Sequence, residues 1–172
     1  ASPPRFVVTC ARGSSDHAAT FAKYAIETQL GMVTASASPS VESVYAVAQR
    51  LEGALYLVIS QSGKSPDLIR NAEAAQAAGA RVVALVNVED SPLAAMADTV
   101  IPLRAGPERS VAATKSYLAT LAAIVHLVAR WSGHVPLLAA LHDTPEAMRR
   151  AFEQDWTPLV QGLREVLNLF VL

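Results

Sequence analysis

Short runs of strand-forming residues alternate with helical patterns along the first 131 residues, and this alternation constrains the fold more than any other feature. Five runs predict β-strands, at residues 6–10, 32–37, 54–59, 81–86 and 99–103. Helix start and stop signals predict five helices, at residues 15–29, 38–49, 65–78, 91–97 and 111–131. Such an alternation implies right-handed crossovers and a parallel sheet covered on both faces. The sequence therefore predicts a three-layer α/β/α fold with a five-stranded parallel sheet.

Two hydroxyl-rich loops follow the first and third predicted strands. The first serine loop (residues 12–15) reads Arg12-Gly13-Ser14-Ser15, and the second serine loop (residues 60–65) reads Ser60-Gln61-Ser62-Gly63-Lys64-Ser65. At such positions the free N–H groups of a helix start attract an anion, serine adds donors, and glycine allows close approach. We interpret the pair as the binding site of a small phosphorylated ligand.

The placement of these loops also favours one strand order. A flavodoxin-like order, 2-1-3-4-5, would put the first and third strands side by side at the topological switch point, where ligands of open α/β sheets bind. Both serine loops would then leave the same edge of the sheet.

Each loop also has a plainer interpretation as a capped strand-to-helix turn. Ser65 is placed to be both an N-cap and a phosphate donor, whereas Ser14 or Ser15 could serve only to cap the first helix. Arg12 could contact a phosphate or be an exposed loop charge. Lys64 could add charge to the site or point into solvent.

The composition fits one well-buried α/β domain and excludes several functions. The 172 residues are 52% hydrophobic, and the net charge of −1 comes without a basic block, which argues against a nucleic-acid partner. The single Cys10 and four histidines without ligand spacing predict no metal site, and no cofactor is expected. The longest apolar stretch, residues 117–129, is short of the roughly 20 residues of a membrane helix, and no signal peptide is visible. We therefore expect a cytoplasmic protein with no membrane partner.

The chain beyond Gly133 breaks the alternation. Thr144, Pro145 and Glu146 have the pattern of a helix cap, a first helical residue and an acidic first turn, and Pro158 should break or kink a helix. The apolar run at residues 167–172 resembles the start of another strand. We expect one domain at residues 1–133, a helical linker at residues 134–166 and the truncated start of a second, similar domain at residues 167–172.

Three ordered motifs together resemble the sugar isomerase (SIS) domain family, which binds phosphosugars. They are Gly13-Ser14-Ser15, the second serine loop, and Val111-Ala112-Ala113-Thr114-Lys115 at the start of the long helix. The resemblance covers residue 6 to about residue 131 and is greatest to the N-terminal SIS domain of two-domain glucosamine-6-phosphate deaminases. The isomerase half of glutamine–fructose-6-phosphate amidotransferase is also similar, but it has Cys where this chain has Arg12 and a hydroxyl residue at the place of Ala113. These departures favour the deaminase.

The resemblance implies a ligand, a reaction and a set of contacts. Phosphate would be bound by Ser60, Gln61, Ser62 and Ser65, and the phosphate or sugar would be contacted by Gly13, Ser14, Ser15 and Val111. The reaction implied is the interconversion of glucosamine 6-phosphate and fructose 6-phosphate by proton transfer between C1 and C2.

The resemblance leaves the catalytic residues unknown. In the resembled proteins the base is a glutamate of the second domain, and a histidine comes from a neighbouring subunit; neither motif is present here. Glu108 lies near the expected site, but we assign it a loop-positioning or interface role rather than that of the base.

Two questions remain open from the sequence. The long helix at residues 111–131 is apolar on most of its circumference, which predicts self-association, most simply as a homodimer, or contact with a second domain. The alternatives to a deaminase are the isomerase module of glucosamine-6-phosphate synthase and the phosphosugar-sensing domain of a transcription regulator. A nucleotide-binding domain is disfavoured because GxGxxG and a Walker lysine motif are both missing.

Overall fold

The computed structural model describes residues 3–45, 47–109 and 113–169. These residues form one parallel sheet in the order β2-β1-β3-β4-β5. The strands are β1 (Phe6–Cys10), β2 (Thr34–Ser36), β3 (Ala54–Ser60), β4 (Arg81–Val86) and β5 (Thr99–Pro102). All four neighbouring pairs are parallel, so the predicted fold class and strand order are confirmed.

Helices cover both faces of the sheet. They are α1 (Ser14–Leu30), α2 (Pro39–Ser43), α3 (Pro66–Ala77), α4 (Pro92–Met96), α5 (Lys115–Ser132), α6 (Val135–Phe152) and α7 (Thr157–Leu163). β3 lies at the centre of the sheet and is buried along its whole length. Its alternate residues enter two apolar clusters: Tyr56 and Val58 pack with α3 and α4, whereas Leu57 and Ile59 pack with α1 and α5.

The second predicted helix is much shorter than expected. It was predicted to reach residue 49, but α2 ends at Ser43 and residues 47–50 are not helical. Most helical stability in proteins comes from packing an apolar face, and β-branched residues form helices less readily. Val44, Tyr45 and Val47 are all more than half exposed, so no burial supports a longer helix here.

The helix boundaries after residue 133 also differ from expectation. Thr144 is not a cap, because α6 begins at Val135, where the His134 ring Nδ1 accepts a hydrogen bond from the Leu137 N–H at 3.1 Å. Pro145 therefore lies inside α6. The chain does break before Pro158, which stands in the first turn of α7.

The predicted division into domain, linker and second domain stays a prediction. Residues 170–172, half of the expected new strand, lie outside the described residues. In the part of the chain that is described, no helix combines the length and apolar character needed to cross a membrane.

Candidate functional site

The two serine loops leave the same edge of the sheet, at the switch point. β1 and β3 are neighbours in parallel register, with Cys10 opposite Val58. The Arg12 side-chain Nε donates to Asp67 Oδ2 at 2.6 Å, which joins the first serine loop directly to the first turn of α3. The structure thus brings the two loops together, while phosphate binding between them stays a prediction.

The second serine loop is a tight turn whose own hydroxyls shape it. Ser60 Oγ is buried and accepts from the Gly63 N–H at 3.1 Å, and Ser62 Oγ accepts from the Lys64 N–H at 3.3 Å. A hydroxyl that accepts these bonds still has its own proton to donate. Lys64 itself is exposed.

Gly63 is required at the tip of this turn. Its φ is +62°, and a Cβ at this position would lie 2.1 Å from Ser91 Oγ. Ser91 is fully buried and caps α4 by accepting from the Ala94 N–H. The loop is therefore packed directly onto the start of the next helix, and only glycine fits.

The helices that follow the two serine loops lack a capping side chain at the N-cap. Gly13 is the N-cap of α1 and Ser14 is its first residue, so the alternative in which Ser14 or Ser15 only caps this helix is wrong. Ser65 occupies the N-cap position of α3 as predicted, but its side chain makes no capping hydrogen bond, so the predicted capping role is also wrong. The hydroxyls expected to bind phosphate are consequently not consumed by capping.

The predicted contact residues form a graded surface from buried to exposed. Ser60 is buried, whereas Ser15, Gln61, Ser62 and Ser65 are half-buried. Gly13 and Ser14 are exposed. Val111 lies outside the described residues, and so does its predicted contact.

Asp67 is a member of this site that sequence reasoning missed. The Arg12 guanidinium is the main cause that lowers the pKa of this carboxyl below its ordinary value, and the backbone N–H of Leu68 adds to the effect. Arg12 is therefore an exposed loop charge engaged in an ion pair, and its contact with a phosphate stays a prediction. The signal in the sequence was an acidic residue in a predicted first helical turn.

Asn87 is a second missed residue, directly after β4. Its backbone N–H donates to the Gln61 carbonyl at 3.2 Å. Its side chain faces the loop after β5, where Oδ1 accepts from the Ala105 N–H and Nδ2 donates to the Gly106 carbonyl, both at 2.8 Å.

Glu108, which also lies in the loop after β5, contacts the start of α5. Its Oε2 accepts from the N–H groups of Thr114 and Ser116, both at 3.2 Å, and from Ser116 Oγ at 2.8 Å. These bonds agree with a loop-positioning role. α5 begins at Lys115, where this carboxylate caps it, and the predicted start at residue 111 or 112 lies outside the described residues.

Two further candidates receive structural roles. Cys10 is 1% exposed, and burial raises the pKa of its thiol, so it is not an activated nucleophile. His17 is exposed on α1. Within the described ranges, no group of three or more His, Cys, Asp or Glu side chains could hold a metal ion.

Comparison with known proteins gives relatives for most of the chain. A model of the SIS domain matches residues 3–130. The chain is 39% identical over 154 residues to a glutamine–fructose-6-phosphate aminotransferase (isomerizing) of Methanothermobacter thermautotrophicus, which covers 90% of this chain and 25% of the relative. The chain thus spans about a quarter of the curated relatives it matches.

Solved structures agree with this comparison. A candidate phosphosugar isomerase from Silicibacter pomeroyi DSS-3 is 45% identical, with a TM-score of 0.90 over 95% of this chain and 50% of that one. A glucosamine-6-phosphate deaminase from Thermotoga maritima has a TM-score of 0.71 over 83% of this chain and 45% of that one. At 19% identity, the second similarity is one of fold alone.

Proposed function

This chain belongs to the SIS domain family, and we propose that it supplies the phosphosugar-binding site of an aminosugar-phosphate deaminase or isomerase. The proposed ligand is glucosamine 6-phosphate or fructose 6-phosphate. The proposed phosphate contacts are Ser60, Gln61, Ser62 and Ser65, and the proposed sugar or phosphate contacts are Gly13, Ser14, Ser15 and Val111.

One observation carries the proposal. Two helices, α1 and α3, start side by side at the switch point without a capping side chain at either N-cap. Helix starts offer N–H donors and a positive dipole end, which favour a phosphate. The start of α3 is itself partly occupied, because the Asp67 carboxylate accepts from the Leu68 N–H, just as the starts of α4 and α5 are occupied by Ser91 and Glu108.

The chain is similar to both the deaminases and the amidotransferases, so two reactions are candidates for the whole protein. We favour the deaminase reaction. Arg12 and Ala113 are the positions at which the chain departs from the amidotransferase pattern. Turnover of glucosamine 6-phosphate that needs neither glutamine nor ammonia would support the deaminase. Activity on fructose 6-phosphate that requires glutamine and is not supported by ammonia would instead favour the synthase module.

In this proposal the chain binds and orients the ligand, and the general base comes from a second domain. Proton transfer between C1 and C2 needs a base within about 3 Å of the proton. Asp67 is paired with Arg12, and Glu108 holds the start of α5, so these two carboxylates already have structural roles.

Calorimetric titration of the chain with glucosamine 6-phosphate tests the binding site. Ser65→Ala removes a hydroxyl that caps nothing, so we expect unchanged thermal stability but weaker binding. A hydrogen bond to a charged group is worth roughly 1.5–3 kcal/mol, so affinity should fall about tenfold or more. The double variant Ser60→Ala/Ser62→Ala should bind more weakly still.

Ser132→Ala, at the last residue of α5, is the matched control and should bind like the wild type. Equal affinity of Ser65→Ala, the double variant and the control would remove the assignment of the phosphate site.

A further inference from the structure

We propose that Asn87 and Glu108 are positioning residues, which fix the position of the start of α5 relative to the second serine loop. This inference rests on the proposed function, because it concerns how that site is assembled. In it, the phosphate lies at the starts of α1 and α3, and the sugar extends toward the start of α5.

Asn87 makes the first link, between the second serine loop and the loop after β5. Its backbone N–H holds the Gln61 carbonyl, while its side chain holds Ala105 and Gly106. One residue therefore bonds to both loops. Removing only the side chain should release the loop after β5 without releasing the second serine loop.

The loop held by Asn87 turns sharply and needs this support. Arg104 has a φ of +50°, which is unusual for a residue other than glycine, and Gly106 has a φ of +71°. Strained backbone persists only where surrounding contacts hold it in place. The two side-chain bonds of Asn87 fall on Ala105 and Gly106, within this turn.

Glu108 makes the second link, from the same loop to α5. Its single oxygen Oε2 accepts from two backbone N–H groups and from the hydroxyl of the buried Ser116. A carboxylate at a helix start also satisfies the positive end of the helix dipole. The start of α5 is therefore filled by the protein's own anion and does not compete for the phosphate.

This arrangement gives the proposed site a phosphate end and a sugar end. In this proposal the phosphate lies against the hydroxyls of the two serine loops, and the α5 end of the site meets the uncharged part of the ligand. Displacing the loop after β5 should therefore harm recognition of the sugar and leave recognition of the phosphate intact.

Titrations with two probes, inorganic phosphate and glucosamine 6-phosphate, test this split. For Asn87→Ala and Glu108→Ala we expect unchanged affinity for inorganic phosphate and about tenfold weaker binding of the sugar phosphate, the scale expected when partly buried donors lose their acceptor. Glu108→Gln keeps an acceptor oxygen and should restore most of the sugar-phosphate affinity. Glu153→Ala, which removes an exposed carboxylate at the end of α6 and outside this loop, is the matched control and should bind both probes normally.

Amide hydrogen exchange without ligand gives a second readout, independent of binding. Asn87→Ala should speed exchange at Ala105 and also at Thr114 and Ser116, which Asn87 does not touch. If Thr114 and Ser116 exchange at the wild-type rate in this variant, the coupling between Asn87 and the start of α5 is refuted. An equal loss of affinity for both probes would also refute it, because such a loss indicates general destabilisation. Failure of the wild type to bind either probe would instead refute the proposed function, and the exchange experiment would still decide the positioning roles.

Discussion

We propose that Arg12 serves the anion site through its ion pair with Asp67 rather than by touching the anion. Its bond to Asp67 places a positive charge on a carboxylate that lies in the first turn of α3, next to the proposed phosphate position. Without that pairing, the carboxylate would repel a phosphate through the same helix start that attracts it.

A charge-compensating role predicts rescue by a second substitution. We expect Arg12→Ala to weaken binding of glucosamine 6-phosphate several-fold, and Arg12→Ala/Asp67→Asn to recover it, because the unpaired carboxylate is then gone. If Arg12 contacts the phosphate itself, the second substitution will not restore the affinity measured by calorimetry.

The same pair has a defined pH dependence. Because the folded pKa of Asp67 is lowered, the pair contributes stability above the ordinary Asp pKa of about 4, and this contribution is lost as the pH falls through the folded value. Arg12 is 54% exposed, so the effect on unfolding should stay below about 1 kcal/mol. An NMR titration of Asp67 in Arg12→Ala should show its pKa return upward.

At the scale of elements, the second serine loop and α4 form one packed unit through Gly63 and Ser91. Besides the close approach of these two residues, the Leu93 N–H donates to the Gly63 carbonyl at 3.1 Å. The shape of the proposed phosphate site therefore depends on a helix that does not itself contribute a predicted contact.

This packing predicts that Gly63→Ala is far more costly than Gly31→Ala. Both glycines have nearly the same φ, +62° and +63°, but a Cβ at position 31 meets nothing within 4 Å. Left-handed backbone should cost each alanine variant roughly 1–2 kcal/mol, and overpacking against Ser91 should add about 1–3 kcal/mol at position 63. Chemical denaturation measures both; equal losses would mean that the loop relaxes away from Ser91.

At the scale of the whole molecule, exposed apolar side chains lie on α5 and on the helices that follow it. α5 packs against α1 and the sheet on one side and contacts α6 on another, and its Leu118 is still 48% exposed. More exposed apolar side chains follow one another along α6 and α7: Met148, Phe152, Trp156, Leu159 and Val160. Apolar side chains exposed close together in sequence predict an interaction surface.

We propose that this surface mediates self-association, most simply as a homodimer. Light scattering at micromolar concentration should give a mass above that of one chain, and Trp156→Ser/Val160→Ser should shift it toward the monomer. Val33→Ser, at an apolar residue that is 73% exposed before β2, is the control. A strictly monomeric wild type would contradict the proposal.

The sequence alone determined the layered fold, the strand order and the two polar loops. These follow from local patterns: alternating strand and helix periods, turn residues and hydroxyls at strand ends. The order was predictable because both serine loops follow strands that are neighbours at a switch point, and the parallel sheet confirms it.

Only the tertiary structure decided which side chains connect these loops. Arg12 pairs with Asp67, which lies 55 positions later in the chain. Asn87 bonds to the loop after β5, a contact that no hydrophobic periodicity in the sequence predicts. Whether a serine caps a helix or leaves its hydroxyl for a ligand also depends on backbone angles at one residue, as at Ser65. Such contacts depend on strand register and loop geometry, which are set when the sheet and its helices pack together and are not encoded in residue spacing.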